Sequence, residues 1–159
     1  MQALEPTTHS DLTHCLQEQL ANAFVLYANY KTYHWESYGP LFRDMHRLFD
    51  EHATGVLTTV DELAERIRML GDHAVADLRT LAEKSSVKIS TATTMGQMIR
   101  EAEVAEGHLA AQLREAIRIA NENGDPGSAD LFTRVLLVHE KHLWFLKQTA
   151  KREERLSIA

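Results

Sequence analysis

Two histidines and three carboxylates, His34, His46, Asp50, Asp61 and Glu65, follow one another at spacings of 12, 4, 11 and 4 residues. At about 100° per residue, Asp50, Asp61 and Glu65 fall roughly 40°, 60° and 100° from His46 on a helical wheel. These four side chains form one stripe along a single helix, and His34 stands at the end of the segment before it. Imidazole nitrogens mixed with carboxylate oxygens suit iron, zinc or manganese better than calcium or magnesium.

The stripe is too long for one metal site. With a rise of about 1.5 Å per residue, Asp50 and Asp61 are roughly 16 Å apart, and His46 and Glu65 nearly 30 Å apart. Metal–ligand bonds are only about 2 Å long, so a straight helix cannot gather all four around one ion. The spacing supplies a solution, because residues 46 and 65 are symmetric about the same midpoint as residues 50 and 61. Two copies crossing antiparallel on a two-fold axis would set His46 and Asp50 of one against Asp61 and Glu65 of the other. Such a contact is self-complementary and generates two equivalent sites. Thr54 and Leu57 share the midpoint and are expected at the seam.

These residues need long helices to hold them. Residues 1–9 read as a tail, with Thr8 and Asp11 resembling a capping box. A first helix over about 10–37 carries Leu16, Leu20, Ala23, Tyr27, Tyr30 and His34 at alternating four- and three-residue steps. Gly39-Pro40 is expected to stop it and start the next helix, with proline at its first position. That second helix, about 40–70, clusters Phe42, Met45, Phe49, Ala53, Val56, Val60, Leu63, Ile67 and Leu70 on a face roughly 120° from the ligand stripe. One face is therefore for the subunit's own core and another for a partner. A third face, with Asp44, Glu51 and Glu62, reads as solvated surface or as an acidic wall.

Gly71 ends the second helix. Residues 72–93 form a long connection with a short helix around 75–83 and an extended 87–89. Its length lets the chain cross the bundle instead of making a tight hairpin. Thr94 and Gln97 resemble a capping box for a helix over about 95–122, and a glycine- and proline-rich turn at 124–127 leads into a last helix reaching about 151. The fold class is all-α: a four-helix bundle with a short extra helix between helices two and three.

The 159 residues make one domain, 1–159, with tails at 1–9 and 152–159. A net charge of −6 and a pI near 5.8 argue against a body-wide grip on DNA or anionic membrane. The single cysteine, Cys15, excludes an internal disulfide and fits a reducing compartment. No secretory signal or membrane span is expected, and the protein reads as cytoplasmic.

The stretch HWESYGPLFRDMHRLFDEHATGVLTTVDELAERIRMLG, residues 34–71, closely resembles the signature of the Dps family, ferritin-like mini-ferritins known as DNA-protection proteins of starved cells. The resemblance covers essentially the whole chain, including KHLWFL at 141–146. It implies a hollow homododecamer with ferroxidase centres at two-fold interfaces, His34, His46 and Asp50 coming from one subunit and Asp61 and Glu65 from its neighbour. The implied reaction is Fe(II) oxidation, with hydrogen peroxide preferred to oxygen, followed by storage of Fe(III) in the shell. Zinc is an alternative occupant of the site. The Glu-x-x-His motif of ordinary ferritins is absent from the sequence.

Other residues carry two readings. Trp35, beside a ligand, either packs or intercepts oxidising equivalents, and packing is the plainer role. His139 and His142, three residues apart, either pack or bind a separate metal; His52 projects away from the stripe. In the resembled family, acidic pores lie near the start of the last helix. Asp125 and Asp130 match them, although Asp at a helix start is commonly a cap. DNA binding is expected to be weak or absent, because no Lys or Arg precedes Lys31 and KREERLSIA interleaves its charges. A DNA-binding nucleoid protein with incidental metal binding and a zinc-occupied, non-catalytic cage are the competing readings.

Overall fold

In the computed structural model, the backbone is described for residues 7–151 and side chains from residue 11 onward. Five helices follow one another: α1 (Thr7–Glu36), α2 (Phe42–Met69), α3 (Leu78–Lys84), α4 (Met95–Glu122) and α5 (Pro126–Ala150). Helix α1 packs mainly on α2, and α4 on α5, with α1·α4 and α2·α5 contacts closing a four-helix bundle. Among the described residues, none is in a strand and no helix is long and apolar enough to cross a membrane.

The apolar stripes drive this packing. Leu12, Leu16, Leu20, Leu63, Ile67, Leu113 and Phe132 fill one part of the core, and Leu26, Tyr30, Tyr33, Phe49, Val56, Leu109 and Leu146 fill another. Each stripe recurs every three or four residues, which gathers its apolar side chains on one face of the helix. Phe42, expected among the core residues of α2, is 45% exposed at the first turn.

Three glycines with positive φ, Gly39, Gly71 and Gly124, mark the helix boundaries expected from the sequence. At Gly71 the turn is closed by the Asp72 N–H donating to the Ile67 carbonyl at 3.2 Å. Pro40, expected as the first residue of α2, sits instead in a turn closed by the Phe42 N–H on the Gly39 carbonyl, and the helix begins at Phe42. Helix α1 starts at Thr7, earlier than expected, and the Thr8 side chain lies outside the described residues.

The connection from α2 to α4 is laced along α1 by amide side chains, which can donate and accept at once. Gln17 pairs with the Val75 backbone in both directions, Asn22 takes Ser85 and Ser86, and Asn29 bridges the Lys88 carbonyl and the Ser90 N–H. These contacts advance along both segments together, so the connection runs the length of α1 and delivers α4 parallel to α2. Asp77 caps α3, and the Thr94–Gln97 capping box starts α4. The 87–89 stretch carries no strand assignment.

Candidate metal centre

Where α1 ends and α2 begins, His34 and His46 stack with ring centroids 3.7 Å apart. Each Nδ1 reaches the other residue's backbone carbonyl, at 2.6 Å for His34 and 2.8 Å for His46. A carbonyl oxygen only accepts, so both Nδ1 atoms carry a proton, and Nε2 is the ring atom left to bind a metal. A histidine fixed by a carbonyl on one nitrogen is oriented for metal on the other.

Asp50 lies one turn beyond His46. Its carboxylate accepts from Lys31 Nζ at 2.7 Å, and that contact holds its pKa below the usual carboxylate range, helped by His34 and His46. A cation binding at that Oδ1 would have to displace this ammonium. The same Lys31 lies 5.6 Å from the centroid of Trp35, which is 67% exposed.

Asp61 and Glu65 do not join this cluster. They lie further along α2, both exposed, in line with exposed Thr54 and Leu57. One chain thus brings together three of the five expected ligands and displays the other two on the same open face. That face is distinct from the one carrying Met45, Phe49, Ala53, Val56, Leu63 and Ile67 into the core.

The acidic candidates near α5 have defined partners. Asp125 caps the helix through the Ser128 N–H at 3.0 Å and pairs with Arg66 Nη2 at 2.5 Å. Partial burial opposes its charge, but the Arg66 and Ser128 hydrogen bonds prevail and lower its pKa to about 2. Asp130 is far more exposed and pairs with Arg134, which also holds Glu62. Arg134 thereby offsets the negative charge that both carboxylates present at this surface.

A second polar constellation lies inside the bundle. Glu106 of α4, fully buried, accepts from Tyr30 Oη at 2.5 Å, His139 Nδ1 at 2.6 Å and His142 Nδ1 at 3.0 Å. Burial opposes its charge, and the two histidines still lower its pKa, to about 2. Tyr30 is pushed well above its ordinary value by burial and by Glu106. His52 stacks on His142 with centroids 4.0 Å apart, and burial with the neighbouring His142 lowers its pKa to about 3, so its ring is neutral. His52, His139 and His142 stand out in the sequence, whereas Glu106 does not. The available signal was a carboxylate between Ala102 and Leu109 on the apolar register of α4.

Residues 14–156 match the family model for the ferritin-like domain. Over 155 residues the chain is 30% identical to DNA protection during starvation protein 1 of Deinococcus radiodurans, covering 96% of this chain and 74% of that protein. The solved structure of Dps from Thermosynechococcus elongatus superposes with a TM-score of 0.91 at 41% identity, over 95% of this chain and 97% of that one. The Dps protein of Vibrio cholerae, described as a member of a broad superfamily of ferritin-like diiron-carboxylate proteins, gives 0.87 at 29% identity over 94% of each chain.

Proposed function

The chain belongs to the Dps family of ferritin-like proteins, and on that premise we propose that it is a cytoplasmic ferroxidase that oxidises Fe(II) and stores the ferric product inside a hollow homododecamer. The observation that carries this reading is the open face of α2. Three ligands are gathered at one end, two stand free toward the other, and their symmetry about one midpoint suits a two-fold partner.

Iron is the substrate. In each composite site, His34 and His46 offer Nε2, Asp50 offers a carboxylate once Lys31 moves away, and a second copy brings Asp61 and Glu65. The partner's two carboxylates are the main anchor, and His46 with Asp50 completes a weaker, more labile position. Carboxylates neutralise ferrous charge and favour the harder ferric product. Hydrogen peroxide is the proposed oxidant: two ferrous ions give one electron each, the O–O bond takes both, and two protons complete two waters. Pairing the electrons in this way avoids the one-electron cleavage that frees hydroxyl radical. Ferric product leaves toward the interior, and Asp130 near the start of α5 is the better placed of the two acidic candidates for admitting iron. Zinc competes for the same nitrogen-containing site.

Complementation tests the shared site. One variant carries His46→Ala and Asp50→Ala, the other Asp61→Asn and Glu65→Gln, so each is inactive alone. In a mixed pair one site collects both sets of substitutions and the other collects none. Random co-assembly at equal amounts therefore restores about a quarter of the sites, read as peroxide-driven Fe(II) oxidation with the expected sharing. No restored activity in a verified mixed assembly, or full activity in either variant alone, overturns the assignment.

A further inference from the structure

We infer that each subunit also holds a second metal site, inside its own bundle, formed by His52, Glu106 and His142 and suited to a divalent first-row transition ion such as zinc or ferrous iron. One ligand atom from each of these residues lies within 4.8 Å of the other two. All three residues are buried, and they come from α2, α4 and α5. Two imidazoles with one carboxylate is a donor set that zinc and non-haem iron both use.

A purely structural hydrogen-bond network explains only part of this arrangement. Tyr30, His139 and His142 satisfy Glu106, yet His52 Nδ1 is buried with no hydrogen-bond partner. Such orphaned atoms are rare in folded chains and call for a ligand or a bound water. An ion accounts for it directly, since a neutral imidazole nitrogen is a metal donor. Tyr30 and His139 then act as the outer contacts that orient a metal-bound carboxylate.

The surroundings also fit. A cavity of about 250 Å³ reaches the two rings past Glu51, Lys141 and Phe145. Gly55 leaves space for His142: a Cβ there would stand 2.8 Å from its Nε2. Around one ion with bonds of about 2 Å, ligand atoms sit roughly 3–3.5 Å apart, so atoms as much as 4.8 Å apart must close by roughly 1.5 Å. Side-chain rotation of His52 and His142 beside the cavity can supply that closure. Unlike the surface stripe, this site needs no second copy, and the inference does not depend on the ferroxidase reading.

The test uses the assembled protein equilibrated with Zn(II), freed of excess metal by gel filtration, and assayed for zinc per subunit. In an Asp61→Asn/Glu65→Gln background, which silences the shared site, about one ion per subunit is expected to remain. Adding His52→Asn and His142→Asn removes it, with helicity and assembly checked alongside. Zinc-edge anomalous diffraction from the unsubstituted protein then places an ion among His52, Glu106 and His142. No retained zinc in the first background overturns the inference, as does zinc insensitive to the core substitutions. Should the core variants fail to fold, diffraction decides alone, and anomalous peaks only outside the bundle also overturn it.

Discussion

Asp125→Asn separates two roles for one carboxylate, a helix cap tied to Arg66 or a lining of an iron passage. Folding lowers its pKa from 3.8 to about 2 against the cost of partial burial. Its side chain is only 13% exposed, so the fall converts to about 2 kcal/mol of stability at neutral pH. Asparagine still caps the Ser128 N–H, so the loss reports the charge contact with Arg66 more than the cap. Because the folded state binds this proton less readily than the unfolded one, the contribution is complete above the ordinary value of 3.8. It is lost as the pH falls through the folded value near 2. Urea midpoints of both proteins, at one fixed subunit concentration because assembly adds its own term, give the gap between them. It is expected to be full from pH 7 to 5 and to close below pH 4. A gap under about 0.5 kcal/mol at neutral pH refutes the argument, since surface substitutions without a role fall in that range. So does a gap undiminished near pH 2. In the same proteins the initial rate of iron uptake should change less than twofold; a tenfold slowing would return Asp125 to the passage.

Three further outcomes are expected. Phe49, fully buried against Tyr30 and Tyr33, should cost about 3–5 kcal/mol on truncation to alanine in denaturant unfolding, and a loss below 1 kcal/mol would contradict its place in the core. Lys31→Met removes the ammonium competing for the half-exposed Asp50; an ion pair near the surface is worth about 0.2–1 kcal/mol, so zinc titration of the assembled protein should show up to about fivefold tighter binding. Weaker binding would mean that Lys31 supports the site. Duplex DNA at low salt should not be retarded by the protein near neutral pH, given a net charge of −6, and a tight shifted band would overturn that expectation.

What the sequence made legible followed from helical periodicity. The apolar stripe and the ligand stripe on α2 were separable because each depends on one helix, and the structure buries the first while leaving Thr54, Leu57, Asp61 and Glu65 open. Glycines at positive φ made three helix ends visible. Pro40 misled by two residues because a proline suits a turn as well as a first helical position, and the sequence pattern does not choose between them. The Glu106 cluster was invisible for a different reason. Its members lie on four helices, 30, 52, 106, 139 and 142 along the chain, and no spacing within one helix relates them. A carboxylate at an apolar register position says only that it must find a partner; the packing of α4 on α5 says which.

Helix α2 faces two demands about one midpoint. Its outward side presents the proposed ligands at separations that one ion does not span, so the chemistry proposed there would depend on assembly. Its inward side carries His52, two residues after Asp50, into a cluster that folding alone completes. Gly55 stands beside that midpoint, and its missing side chain serves the inner cluster through the room left for His142. Thr54 and Leu57 are exposed on the outward side, where the proposed seam would lie. Substitution at 55 should therefore disturb the interior before the pairing of subunits, and substitution at 54 or 57 the reverse. A rigid helix gives both sites a common frame, so any tilt needed for the two-fold crossing is also felt at His52. Metal held inside the bundle would stiffen that frame from one side, and pairing of subunits would stiffen it from the other.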